Sequence, residues 1–365
     1  MPFRTLNAIN LQQTSGCLNP SLSSVAQQGR PCLSSRAQRG ILGWKNAGGT
    51  SKLVAALRGN NAMTGPLQVG FLGLGQMGAP MAERLLCDGI ALHVFDPAAL
   101  ALARLASLGA RTHADPASVA DAAEIVLACL PSPAVSEAVA LGPRGIAQGK
   151  AVRVYAEMST IGCASIERIA AGLAAREIGL VDAPVSGGPP AALAGTLTLM
   201  VAGGPAEMDL ALPALERIGR SIYRVGDRPG LGQMMKLVNN LVVAANMAAV
   251  FEALVLGAKG GLDADMMVGI LNASTGRSMV STDMVPRSVL TGRFDFGATI
   301  AILDKDVALG LEQAAKLSVP MWTLEQSARL WRFAATQGRG AEDITALIRV
   351  MEEWAGVTVR GARPP

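Results

Sequence analysis

Lys236 stands just before VNNLVVAANMAAVFEALVLG (238–257), an oily stretch whose first turn carries the amides Asn239 and Asn240. On a helix, Lys236 and Asn240 are one turn apart on one face, with Asn239 beside them. Taking an ammonium out of water is costly, and burial lowers its pKa toward neutrality. A lysine in that state can take a proton from an alcohol or return it to an alkoxide. Oxidation of an alcohol to a carbonyl needs that proton transfer as hydride leaves carbon, and a neighbouring amide can fix the substrate. The structural alternative is a lysine that snorkels from a helix start. The apolar run between Lys236 and Glu252 is only about 15 residues, against roughly 20 for a bilayer span, so a buried helix is expected and no membrane.

A second set of residues could bind phosphates. VGFLGLGQMG places Gly73, Leu74, Gly75, Gln76, Met77 and Gly78 between an apolar run and a helical pattern. That context turns G-x-G-x-x-G into a dinucleotide fingerprint. Gly73 allows the tight turn, Gly75 lets the backbone approach a pyrophosphate, and Gly78 lets helix and strand pack closely. Asp96 ends the next apolar run, where an acid accepts hydrogen bonds from ribose hydroxyls and repels a 2′-phosphate. No Arg follows in FDPAAL, so NAD is expected, with NADP possible. LACLPSP and AEMSTIG are further strand-end loops, putting Leu130, Pro131 and Thr160 where a cofactor would lie. In DAPVSGG, Ser186, Gly187 and Gly188 offer a hydroxyl and unencumbered backbone N–H groups, a nest for a carboxylate.

These residues need a scaffold, and the pattern around them specifies one. Between Leu67 and Val225, short apolar runs alternate with helical patterns, which predicts a doubly wound α/β sheet of Rossmann type over 65–227. After Gly232 only helical patterns appear, predicting an all-helical substrate and dimerisation domain over 228–357, reached by a long interdomain helix and followed by a tail, 358–365. Residues 1–64 carry seven basic residues (Arg4, Arg30, Arg36, Arg39, Lys45, Lys52, Arg58) and no Asp or Glu, without sustained periodicity. They are expected to be a disordered extension, either a mitochondrial transit peptide or a start placed upstream of Met63. The cytoplasm is the expected location, and the mitochondrial matrix the alternative. The net charge of +4 does not point to nucleic acid. Five cysteines without a CxxC pair and only two histidines, His93 and His113, make a disulfide framework or metal site unexpected.

Taken together, GLGQMG, DAPVSGG, GxxxKLVNN and the later KD resemble the β-hydroxyacid dehydrogenase family, of the 3-hydroxyisobutyrate dehydrogenase and tartronate semialdehyde reductase type, over about residues 67–357. The resemblance implies hydride exchange between NAD(P) and a short β-hydroxy acid or its semialdehyde. It makes Lys236 the acid/base, Asn240 a catalytic and substrate-positioning residue, and Ser186, Gly187 and Gly188 the carboxylate site. It sends Lys305 toward the cofactor, has Asp306 orient nearby groups, and implies a homodimer or homotetramer. Two features depart from the pattern: the double proline in GGPPAA, and NASTGRSMVSTDMVP (272–286), whose Arg277 and Ser278 could meet a second polar group on the substrate. An imine reductase, or a redox-inactive NAD-binding assembly module, are the alternatives that Lys236 argues against.

A chain starting at Met63 is expected to fold, assemble and turn over like the full chain. The extension has too few large apolar side chains to offset an ordering entropy of about 1–2 kcal/mol per residue. Thermal melting and size-exclusion chromatography of the two chains check this; a much lower melting temperature or a changed oligomer would contradict it.

Overall fold

A computed structural model describes residues 67–362, so the expectation for residues 1–64 lies outside the described residues. Six strands run parallel in the order β3-β2-β1-β4-β5-β6. They are β1 (Gln68–Leu72), β2 (Ala91–Phe95), β3 (Arg111–Thr112), β4 (Ile125–Ala128), β5 (Val154–Glu157) and β6 (Gly179–Asp182). This is the strand order of dinucleotide-binding sheets, whose ligands lie beyond the carboxyl ends of the strands where the order reverses. The central strands read VGFL, IVLA and VYAE and are buried throughout. Continuous apolar runs of this kind suit strands covered on both faces by helices.

Beyond β6 the sheet changes character. β8 (Leu197–Ala202) pairs antiparallel with β6 and with β7 (Val185–Ser186), then parallel with β9 (Gly219–Gly226). Sequence pattern alone missed β3 and β7, each only two residues long. Both are edge pairings fixed by a neighbouring strand, so they carry no periodicity of their own.

The long helix runs from Leu231 to Lys259. Its N-cap is Gly230, in the left-handed region at φ +99° and unable to cap with a side chain. The cap comes from elsewhere: the Asp182 carboxylate at the end of β6 accepts the N–H groups of Gly230 (2.9 Å) and Gln233 (3.0 Å). A carboxylate there also meets the positive end of the helix dipole. Gly232 has no room for a side chain, since a Cβ would lie 2.7 Å from the Met200 carbonyl oxygen. Buried Leu241, Ala244, Met247, Phe251, Leu254 and Val255 repeat at helical spacing and form the wall of a core in the helical domain.

That core is closed by helices Ala264–Ala273, Ile300–Lys316, Trp322–Ala334 and Leu347–Ala355, with fully buried Trp331 donating its indole N–H to the Ala244 carbonyl at 3.2 Å. Between the first two lies a π-helix, Val280–Val289, with Pro286 inside it. Proline cannot donate to the ladder, and the widened turn absorbs the break. Among the described residues no named strand follows β9. Part of the segment set apart as a tail packs on this domain: Val359 is fully buried and its N–H donates to Glu352 Oε1 at 2.7 Å.

Gln233 joins the two halves. It is fully buried; its Nε2 donates to the Ser159 carbonyl (3.0 Å) and Asp182 Oδ1 (2.9 Å), and its Oε1 accepts from Ile161 N (2.8 Å) and Gly162 N (3.1 Å). Each buried polar group left without a partner costs about 1–3 kcal/mol. Gln233→Ala is therefore expected to destabilise the protein by about 3–5 kcal/mol, measured by urea denaturation. A loss below about 1 kcal/mol would mean that water replaces the amide without cost.

Candidate active site

A cleft of about 1330 Å³ opens at the carboxyl ends of the parallel strands, between the sheet and the long helix. One wall is the turn from β1 into the helix Gly78–Cys87. Gly73 sits at φ +87°, and a Cβ on Gly78 would fall 1.8 Å from the Gly73 carbonyl oxygen. A Cβ on Gly75 would meet nothing within 4 Å, so its backbone faces open space. The N-cap residue Met77 provides no side-chain cap. The Ala79 N–H is taken by the Gly75 carbonyl at 3.0 Å and Pro80 has none, which leaves the N–H groups of the turn before them, from Gln76 to Gly78, to an anion.

At the end of β2, Asp96 lines the same cleft. Its Oδ2 accepts the Leu74 N–H and its Oδ1 the Ala98 N–H, both at 2.7 Å. A carboxylate has about four acceptor positions, so two remain for hydroxyl groups of a ligand. Gln76, Met77, Leu130, Pro131 and Thr160 also line the cleft. Leu74 does not: its side chain is buried, and its part is the N–H that fixes Asp96.

Behind the Leu130–Pro131 loop is a buried acid that sequence reading passed over. Glu157 accepts the Ser159 N–H at 3.0 Å, the Ser159 hydroxyl, and the Tyr155 hydroxyl at 2.9 Å. Ser159 Oγ in turn accepts the Leu130 N–H at 2.6 Å. The ends of β4 and β5 are thereby locked together. Burial pushes the Glu157 carboxyl up, against the hydrogen bonds from Ser159. Burial also pushes the nearby Cys129 thiol up to about 12, so it is inert at neutral pH.

The polar head of the long helix forms the facing wall. Lys236, Asn239 and Asn240 all reach the cleft. Asn239 Nδ2 donates to Asn240 Oδ1 (3.0 Å), and Asn240 Nδ2 donates to Asp306 Oδ2 (2.7 Å). Asp306 Oδ1 accepts from Lys305 Nζ (2.7 Å), which also donates to the Thr160 carbonyl across the cleft (2.6 Å). Every member of this chain has a partner, which holds Asn240 and Lys305 rigid. Lys236 is different: its ammonium forms no hydrogen bond or ion pair with a described residue. Burial pulls its pKa down; the Asp306 charge opposes this and the Lys305 charge adds to it.

The remaining wall holds Ser186, Gly187 and Gly188. Gly187 and Gly188 adopt φ +137° and +74°, values that side-chain-bearing residues rarely take, and Ser186 precedes them at the end of β7. All three line the cleft. Arg277 and Ser278 do not; the Ser278 N–H donates to Ser281 Oγ at 2.9 Å, and Arg277 is exposed. The π-helix presents Asp283, Met284 and Arg287 instead. The internal Pro286 was the one sequence signal that the helical period breaks there.

Two family profiles match the chain. Residues 68–226 match the NAD binding domain of 6-phosphogluconate dehydrogenase, and residues 230–351 match the NAD-binding domain of NADP-dependent 3-hydroxyisobutyrate dehydrogenase. The chain is 37% identical over 298 residues to 2-(hydroxymethyl)glutarate dehydrogenase of Eubacterium barkeri, covering 81% of this chain and 99% of the relative. It is 32% identical to 3-sulfolactaldehyde reductase of Escherichia coli strain K12, covering 80% and 98%. Among solved structures, the 3-hydroxyisobutyrate dehydrogenase of Mycobacterium tuberculosis with L-serine superposes with a TM-score of 0.71 at 29% identity, over 79% of this chain and 99% of that one.

Because the Asp306 carboxylate raises the Lys236 pKa, Asp306→Asn removes that support and leaves burial and Lys305 unopposed. The Lys236 titration is expected to move to lower pH in the variant. The pH dependence of Lys236 acylation by an amine-directed reagent, followed by peptide mass spectrometry, measures it; a shift to higher pH contradicts the arrangement.

Proposed function

The chain belongs to the β-hydroxyacid dehydrogenase family, and on that premise we propose that Lys236 is the general acid and base of its reaction, a short β-hydroxy acid of the 3-hydroxyisobutyrate or tartronate semialdehyde type exchanging with its semialdehyde. It is an NAD(P)-dependent oxidoreductase. The observation that carries the assignment is a lysine in the cleft, without a partner among the described residues and with a depressed pKa, beside an amide that is held rigid.

The residues present fit the cofactor. The uncapped turn Gly73–Gly78 would take the pyrophosphate, Asp96 the adenosine ribose, and Leu130, Pro131, Thr160 and Lys305 the nicotinamide half. The nicotinamide, when bound, supplies the hydride acceptor or donor. The chain supplies the rest. Ser186, Gly187 and Gly188 hold the substrate carboxylate, and Asn240 positions the hydroxyl. In oxidation, neutral Lys236 takes the hydroxyl proton while the C–H bond breaks; in reduction, its ammonium returns a proton to the oxygen. Burial lowers the Lys236 pKa and so favours the neutral amine that oxidation needs, relative to an exposed lysine. We propose NAD as the preferred cofactor, because the Asp96 carboxylate would repel a 2′-phosphate.

The same reading carries an assembly and a location. Met235, Val238, Val242 and Leu256 leave an exposed apolar stripe on the long helix, which supports a homodimer or homotetramer. The cytoplasm is the proposed compartment, or the mitochondrial matrix if residues 1–64 act as a transit peptide. An imine reductase or a redox-inactive module would leave the free lysine without a task.

Lys236→Ala is expected to lose about 10²- to 10⁴-fold in kcat while NADH binding stays near wild type. Steady-state assays on β-hydroxy acids and semialdehydes, with fluorescence titration of NADH, test this. Activity within about a factor of two of wild type would exclude Lys236 from the chemistry.

A further inference from the structure

Among the described residues, three cationic side chains reach the cleft: Lys236, Lys305 and Arg287. Lys305 is engaged by the Thr160 carbonyl and Asp306, and Lys236 is assigned to proton transfer. Arg287 has no such task. Its guanidinium lies 4.8 Å over the Phe296 ring, and its Nη2 meets Asp283 Oδ2 at 3.3 Å, a loose contact to a half-exposed carboxylate. Its Nε is buried without a hydrogen-bond partner among the described residues. A guanidinium has five donors in a fixed fork matched to two acceptor oxygens. Most of that capacity is unspent, and the ring beneath it restrains its plane.

Its placement adds to this. Arg287 sits on the π-helix directly after Pro286, where the widened turn brings Asp283, Met284 and Arg287 to the cleft together. The Phe296 that shelves it is followed by Gly297 at φ +106°, where a Cβ would come 3.2 Å from Pro189 Cδ. Pro189 is the residue after the Gly187–Gly188 nest. The first proline of GGPPAA therefore fits the nest against the loop that supports Arg287. The cleft thus sets the glycine nest beside a fork-shaped cation on the helical domain.

We propose that Arg287 binds a second acidic group of the substrate, a carboxylate or sulfonate at the end away from the reacting carbon, so that this enzyme prefers dianionic β-hydroxy acids over simple monoacids. The inference rests on the reading of the cleft as a β-hydroxy acid site. The nest holds the first carboxylate and Lys236 faces the hydroxyl. Arg287 supplies the planar, two-point contact that an additional carboxylate or sulfonate needs. Without such a group the buried Nε stays unpaired, which disfavours the monoacid complex.

The test is kcat/KM of the full chain on hydroxymethyl-substituted dicarboxylates of two chain lengths, on the sulfonate analogue, and on the matched monocarboxylate. The wild type is expected to favour at least one dianion by about tenfold or more, and the sulfonate arm tells which acid fits. Arg287→Gln is expected to lower kcat/KM on that dianion by about 10²-fold, mainly through KM, and to cost the monoacid at least about tenfold less. Arg287→Lys restores part of the loss, keeping the charge without the fork. Unchanged NADH affinity shows that the variants are folded. An equal loss on both substrate classes, or a wild type without preference, overturns the proposal. A wild type that turns over only monoacids, with Lys236→Ala inactive, overturns it and leaves the proposed reaction standing. A wild type active on neither class overturns both.

Discussion

A buried carboxylate at the end of β6 holds the start of the long helix, and most of the architecture depends on that junction. Asp182 is fully buried, and burial raises its pKa to about 6 against the hydrogen bonds from Gln233 and Gly230. Burying a carboxylate is tolerated only when its lone pairs are occupied. Here they are met by two N–H groups of a helix that has no cap of its own and by the Gln233 amide. The same amide reaches the loop after β5 through Ser159, Ile161 and Gly162. One side chain thus fixes the angle at which the helical domain leaves the sheet, and Lys236 lies one turn further along.

The cleft is built from two rigid polar systems with a free group between them. On the sheet side, Glu157, Tyr155, Ser159 and the Leu130 N–H form a closed set. On the helix side, Asn239, Asn240, Asp306 and Lys305 form another, ending on the Thr160 carbonyl. Satisfied buried networks resist rearrangement, because breaking one bond leaves a group unpaired in a poor solvent. Lys236 faces both systems and belongs to neither. It receives the field of Asp306 and Lys305 without being held by them, the condition under which an amine can exchange a proton with a ligand.

The helical domain contributes to the cleft through irregularity. A regular helix over 280–289 would carry its side chains at a period of 3.6 residues. The π-turn around Pro286 alters that period and brings Arg287 over Phe296. Irregular helices of this sort concentrate at functional sites because they re-aim side chains at some cost in backbone bonding.

Much of the candidate site was legible in the sequence because it resides in local patterns. The fingerprint, the strand-end Asp96, the SGG nest and the Lys236–Asn240 pair each need only a turn or one helical repeat to be recognised. All of them except the Leu74 side chain line one cleft. The core strands were legible for a similar reason, since strands covered on both faces read as unbroken apolar runs. The sequence alone therefore determined which residue types stand at the strand ends and along the helix face. Tertiary structure decided the partners that lie far apart in the chain: Asp182 capping a helix that begins about 50 residues later, Gln233 reaching the loop after β5, Lys305 reaching Thr160, and Arg287 rather than Arg277 facing the cleft. Those choices follow from burial and hydrogen-bond satisfaction, which exist only once the chain has folded and each polar group has to find its partner away from water.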